Sequence, residues 1–288
     1  MFEGSMTALV TPFKRDGSID EEGLRELVEF QCENGTDVLV PSATTGESAT
    51  MSGLEQGKVI KIVLDQASVK VIAGAGTNDT QRAVELTRQA LDLGADGVLS
   101  VCPYYNKPTQ RGIYEHFKAV ARVDIPVVIY NVPGRTSCYI EAETILKLAE
   151  IPNIVGLKEA SGNISHITEV LEKCPKDFSV LSGDDPLTYS IMCLGGRGAI
   201  SVASNLVPRE VSEMIHLLLE GEYKQAREIH FRLIPLFRDL FIETNPIPVK
   251  EALKMMGRSS GSIRLPLFEL EDENRALLRN RLKGMGLI

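Results

Sequence analysis

Eight short apolar runs, each followed by a helix-like stretch, constrain this chain more than any other feature. They are Met6–Val10, Val38–Pro41, Val69–Ala73, Gly97–Val101, Val127–Tyr130, Ile154–Lys158, Ser179–Ser182 and Ala199–Val202. Between them lie amphipathic patterns at helical spacing, such as Asp20–Asn34, where Leu24, Leu27, Val28 and Phe30 are apolar, and Thr80–Leu93, Glu141–Glu150 and Ile164–Lys173. Asp20 and Thr80 stand where N-caps belong, and Gly35 and Gly94 where helices end in a left-handed residue. Strands alternating with helices imply parallel pairing through crossovers. Eight cycles in residues 1–221 fit a closed (β/α)8 TIM barrel, slightly below the ~250 residues usual for that α/β fold. An open doubly wound sheet is the competing architecture. Its dinucleotide fingerprint is missing, because Gly74-Ala75-Gly76-Thr77-Asn78-Asp79 ends in Asp where the third glycine belongs.

Past the eighth cycle the pattern changes. Glu222–Ile242, Pro246–Met256 and Asp272–Gly286 read as helices with no strand between them, so residues 222–288 are expected to form an all-helical C-terminal extension. Asn245-Pro246-Ile247-Pro248 separates the first helix from the second.

Composition excludes several classes of function. A net charge of −8 without a basic patch argues against nucleic acid and anionic membranes as partners. No apolar run is long enough to span a bilayer. The start, Met1-Phe2-Glu3-Gly4-Ser5, lacks the basic and long apolar segments of a signal peptide, so a cytoplasmic location is expected. The five cysteines form no CxxC pair and read as scattered buried thiols in a reduced compartment. The four histidines show no HxxxH or HExxH spacing, so neither a metal nor another cofactor is expected.

In a barrel of this kind the active site is built at the C-terminal strand ends. Strand two runs into Ala43-Thr44-Thr45-Gly46-Glu47-Ser48, strand four into Pro103-Tyr104-Tyr105-Asn106, and strand five into Tyr130-Asn131-Val132-Pro133-Gly134-Arg135-Thr136. Strand six ends at Lys158 and strand seven runs into Gly183-Asp184-Asp185. A lone lysine is ordinarily a surface cation. At the end of an apolar strand it loses water, is pushed towards the neutral amine, and becomes a nucleophile for carbonyl carbon. Alternation puts Ile154, Gly156 and Lys158 on one face, inward, with Gly156 leaving ligand space beneath the amine. Val128 and Tyr130 share a face too, so a phenol on the adjacent strand is expected within proton-transfer reach. By contrast, Gly195-Gly196-Arg197-Gly198 precedes strand eight, at the other end, and reads as a tight turn rather than a phosphate cradle.

Thr44-Thr45-Gly46-Glu47, Tyr130-Asn131-Val132-Pro133-Gly134-Arg135-Thr136 and Gly156-Leu157-Lys158-Glu159 together resemble the pyruvate-dependent class I aldolases of the N-acetylneuraminate lyase superfamily. Within it the chain is similar to the dihydrodipicolinate synthase family over essentially its whole length, Asn245-Pro246-Ile247-Pro248-Val249-Lys250 included. Arg135 is the more specific signal. The resemblance implies a barrel that condenses pyruvate with L-aspartate 4-semialdehyde on the diaminopimelate route to lysine, as a homotetramer.

It also implies roles. Lys158 forms the Schiff base, and Tyr130 is the general acid/base, relayed to solvent through Thr44 and through Tyr105 from a neighbouring subunit. Thr44 and Thr45 hold the pyruvate carboxylate. Arg135 holds the carboxylate of the semialdehyde, where a planar bidentate donor suits it better than a lysine would. Gly183 and Ile200 line the site with backbone groups. Ser48, Ala49, Asn78 and Tyr104 match the feedback site of lysine-sensitive members, but Gly53 and Gln56 replace side chains that are often histidine. Arg82 stands where an acidic residue meets the effector's amine, so lysine inhibition is expected to be weak or absent. Another aldolase of the superfamily, acting on sialic acid or 2-keto-3-deoxy sugar acids, and a ligand-binding barrel without turnover are the competing functions.

Overall fold

The computed structural model describes residues 2–288. The first half of the barrel alternates β1 (Gly4–Ala8), α1 (Glu21–Glu33), β2 (Val38–Val40), α2 (Gly53–Gln66), β3 (Lys70–Gly74), α3 (Thr80–Leu93), β4 (Gly97–Val101) and α4 (Gln110–Val120). The second half contains β5 (Val127–Asn131), the short α5 (Pro133–Thr136), α6 (Ala142–Ala149), β6 (Ile154–Glu159), α7 (Ile164–Lys173), β7 (Ser179–Ser182), α8 (Thr188–Cys193), β8 (Gly198–Ser201) and α9 (Pro208–Leu219). Then come α10 (Tyr223–Asp239), α11 (Ile247–Met255) and α12 (Asp272–Gly284). All eight strands are parallel, each pairs with its sequence neighbours, and β8 closes on β1, with Met6 opposite Ile200.

The expected helix ends hold with one exception. The Asp20 carboxylate caps α1 by accepting from the Gly23 N–H at 3.3 Å, and Gly94 ends α3 with φ 91°. The cap of α3 is Asp79 rather than Thr80: its carboxylate accepts from the Arg82 N–H at 2.6 Å. The Thr80 hydroxyl is engaged instead with His116 Nδ1 at 2.9 Å. Gly195–Gly198 forms the turn from α8 into β8, as its position demanded.

Two apolar layers follow from strand alternation. Val127 and Ile129 face the surrounding helices, while Val128 and Tyr130 join the barrel interior with Phe2, Met6, Leu99 and Ile200. Each aliphatic side chain fully buried this way contributes about 1.5–3 kcal/mol. Phe2 closes the N-terminal end: a side chain at Gly97 would lie 2.7 Å from its ring. Strand β6 departs from strict alternation. Its pairing with β5 shifts between Val127 and Val128, so Ile154 joins the outer layer and Val155 packs against the interior. Gly156 opens no ligand space, because a Cβ there would meet the Ser179 carbonyl oxygen at 2.6 Å. The glycine is required by the close approach of β7. Among the cysteines, only Cys102 and Cys138 are buried, and Cys193 is exposed.

Candidate active site

Lys158 sits at the C-terminal end of β6, directly opposite Tyr130 in the β5 register, and is 5% exposed. Its Nζ lies 4.5 Å from the centroid of the Tyr130 ring, over the face of the ring rather than at the hydroxyl. Burial lowers the amine pKa to about 8, although the Asp185 carboxylate pulls it up; the Arg135 guanidinium adds a smaller downward push. Burial likewise raises Asp185, against the hydrogen bonds it accepts and the weaker attraction of Lys158, so desolvation wins for both groups. The Tyr130 phenol is driven up to about 12, chiefly by burial, and so carries its proton at neutral pH.

Asp185 is the residue that sequence reasoning passed over. It is 4% exposed and accepts from the N–H groups of Val202 and Ala203 at 3.1 and 2.9 Å. Its signal was an acidic pair directly after β7, one strand from the lysine. Gly183, in the same segment, acts through what it lacks: a Cβ there would lie 2.9 Å from Lys158 Cε and 3.0 Å from Cγ. The lysine stem therefore lies across this glycine. Ile200 is fully buried in the barrel interior, paired with Met6.

The turn after β2 forms the opposite wall. Thr44 and Tyr130 border one narrow recess of about 30 Å³. The backbone N–H groups of Thr44 and Thr45 donate to no protein acceptor among the described residues. The Thr45 hydroxyl is turned away and accepts from Asn245 Nδ2 at 3.0 Å. Beside the recess lies a cleft of about 490 Å³, bordered by Thr44, Ser48, Arg82, Tyr104, Arg135 and Asn245 among others. Arg135, on α5, donates to the Asn245 carbonyl at 3.0 Å. Asn245 thus ties Thr45 to Arg135, a link from the helical extension that the sequence motif did not explain.

Tyr105 is not part of this constellation within one chain. It holds a left-handed backbone, φ 72°, and is 87% exposed. Of the four residues Ser48, Ala49, Asn78 and Tyr104, three reach the same cleft. Ser48, Ala49 and Tyr104 border it, and the Tyr104 hydroxyl is 3.3 Å from Thr77 Oγ1. Asn78 does not border it; its carbonyl accepts from Asn106. Arg82 enters the cleft wall over Gly53, where a Cβ would lie 2.2 Å from the guanidinium nitrogen. Among the described residues no group of three or more His, Cys, Asp or Glu is placed to hold a metal ion. No helix among them is long and apolar enough to cross a membrane.

An amine tuned down by burial beside a protonated phenol, with free backbone N–H groups next to that phenol and a guanidinium in the adjoining cleft, suits imine chemistry on a carboxylated carbonyl compound. The family model described as the dihydrodipicolinate synthetase family matches residues 1–285. The chain belongs to that family. Among dihydrodipicolinate synthetase family relatives, the 4-hydroxy-tetrahydrodipicolinate synthase of Aquifex aeolicus is 53% identical over 100% of this chain and 99% of that protein. The crystal structure of dihydrodipicolinate synthase from Aquifex aeolicus superposes with a TM-score of 0.97, covering 99% of both chains. The chloride-inhibited dihydrodipicolinate synthase of Acinetobacter baumannii, complexed with pyruvate, is 44% identical, covers 100% of both chains and gives a TM-score of 0.99. Both are members of the family with the barrel and helical extension seen here.

Proposed function

We propose that this protein is a 4-hydroxy-tetrahydrodipicolinate synthase, condensing pyruvate with L-aspartate 4-semialdehyde in lysine and diaminopimelate biosynthesis. The observation that carries the reading is Lys158: a buried amine with a pKa near 8, at the functional end of a barrel, in register with Tyr130. The neutral Nζ attacks the keto carbon of pyruvate, and the carbonyl oxygen leaves as water after proton transfers through Tyr130. The resulting iminium draws electrons from the methyl carbon. Loss of a methyl proton gives an enamine, which attacks the aldehyde carbon of the second substrate. Thr44 and Thr45 hold the pyruvate carboxylate through their backbone N–H groups, and Arg135 holds the carboxylate of the semialdehyde. Gly183 and Ile200 shape the wall around the bound substrate.

Thr44 relays protons from Tyr130 towards solvent, with Tyr105 supplied by a second copy of the chain. The exposed ring and left-handed backbone of Tyr105 support that assignment. In this reading residues 1–221 are the catalytic barrel, 222–288 a helical domain, and the working form is a cytoplasmic homotetramer. Arg82 occupies the outer cleft with a positive charge beside Ser48, Ala49 and Tyr104. That charge repels an incoming lysine ammonium, so feedback by lysine is weak or absent.

Borohydride reduction in the presence of pyruvate, followed by mass mapping, tests the chemistry. The adduct is expected on Lys158 and lost in Lys158→Ala. A condensation assay comparing aspartate semialdehyde with N-acetylmannosamine and simple aldehydes tests the acceptor. A preference for N-acetylmannosamine would reassign the chain to a sibling aldolase, and no adduct would reject imine chemistry altogether.

A further inference from the structure

The segment Asn245-Pro246-Ile247-Pro248-Val249-Lys250 takes no part in the chemistry above, yet it ends in a lysine that is 1% exposed. Lys250 lies on α11, far from the barrel strands in sequence. Its Nζ donates to Glu47 Oε1 and, at 2.9 Å, to the Thr11 carbonyl, and stands 4.3 Å from the centroid of the Phe13 ring. The second Glu47 oxygen accepts from the Arg264 backbone N–H at 3.1 Å. Glu47 holds φ 55°, a left-handed conformation that a side-chain-bearing residue keeps only where its surroundings impose it.

Glu47 closes the turn that begins at Thr44. Each of its last three residues is gripped by a residue outside the turn. Thr45 Oγ1 accepts from Asn245, the Gly46 carbonyl accepts from the Thr11 hydroxyl at 2.7 Å, and Glu47 pairs with Lys250. Gly46 has little room for a side chain, since a Cβ there would lie 3.0 Å from the Leu9 carbonyl oxygen. Two of the three grips come from residues beyond 222. A buried ion pair of this kind adds little net stability over an apolar pair of equal volume. What it supplies is a fixed direction for the backbone to which it is joined.

We propose that Lys250 is a positioning residue: through Glu47 it holds the Thr44–Thr45 backbone against the pyruvate carboxylate, so the helical extension sets affinity for the first substrate. The inference rests on the assignment of Thr44 and Thr45 given under Proposed function. Substrate affinity is thereby separated from the nucleophile, which lies on another strand and touches neither Glu47 nor Lys250.

The test compares Lys250→Met, the double variant Lys250→Met with Glu47→Gln, and Thr11→Val, each checked for folding by thermal melting. Lys250→Met leaves Glu47 buried and unpaired, and is expected to raise KM for pyruvate about tenfold or more, with KM for aspartate semialdehyde within about twofold. The double variant removes the unpaired charge, folds, and keeps a raised pyruvate KM because the turn is no longer tethered. Thr11→Val loosens the same turn without touching a charge, and moves pyruvate KM in the same direction. A purely structural role would lower the melting temperature and leave both KM values alone. If every folded variant, the double variant included, binds pyruvate as the wild type does, the inference is overturned. Adduct mapping on the wild type separates this outcome from a failure of the catalytic reading: an adduct on Lys158 with unchanged KM values rejects only the role of Lys250.

Discussion

The stem of Lys158 needs a floor to lie on, and Gly183 provides one by having no side chain. Gly183→Ala would set a methyl 2.9 Å from Lys158 Cε and displace the amine from its place over Tyr130. The expected outcome is a fall in kcat of about a hundredfold with the barrel still folded, measured as the rate of pyruvate adduct formation beside a thermal melt. The charge state of the amine is testable as well. With a pKa near 8, held down by burial, Lys158 gains its neutral form as pH rises, so adduct formation should accelerate up to about pH 8 and then level. Asp185 opposes that shift by favouring the ammonium. Asp185→Asn should therefore move the inflection to lower pH, and a rate profile that moves upward or stays fixed would remove Asp185 from the account. Neither Gly183 nor Asp185 could be given this work from sequence. Both depend on where the β7 loop crosses the β6 strand end, a relation between separate strands that periodicity does not encode.

At the level of elements, alternating apolar runs and helical faces made all eight strands and the helices between them legible, because each run must bury one or both faces. What failed was local. Thr80 lost the cap of α3 to Asp79, whose shorter path to the Arg82 N–H left the threonine hydroxyl for His116. The face of β6 was misread at Ile154 because a register shift inserts a residue that strict alternation cannot anticipate, while Gly156 keeps the expected inward face but faces the Ser179 backbone instead of ligand space. An ion pair between elements also escaped notice: His216 on α9 meets Asp37 ahead of β2 at 2.7 Å, and the same Asp37 oxygen accepts from the Ser5 N–H. The hydrogen bond that His216 donates to the Asp37 carboxylate raises the His216 pKa above its ordinary value. Its contribution to stability is therefore complete below about pH 6.5 and is lost as pH rises through the raised folded value. Because the pair is well exposed to solvent, the effect stays below about 1 kcal/mol. Melting temperatures measured from about pH 5.5 to about 9 should fall more steeply for wild type than for His216→Gln.

Over the whole molecule, the barrel carries Lys158, the proposed nucleophile, and the helical extension reaches back to the turn opposite it, through Asn245 to Thr45 and through Lys250 to Glu47. Tyr105, the relay residue proposed to come from a second copy, is 87% exposed on the loop after β4. Activity should consequently fall when the protein is diluted until its subunits separate, and Tyr105→Ala should lose activity at concentrations where the assembly persists. Sedimentation run in parallel with the assay distinguishes the two, and full activity in a verified monomer would exclude a shared site. The two ends of the barrel are unequal in another way. Phe2 seals the floor, while the recess bordered by Thr44 and Tyr130 lies at the opposite mouth. A chain grafted to a bead or electrode through its first residues would thus turn its reactive mouth outward to the bulk liquid, with a closed floor against the support.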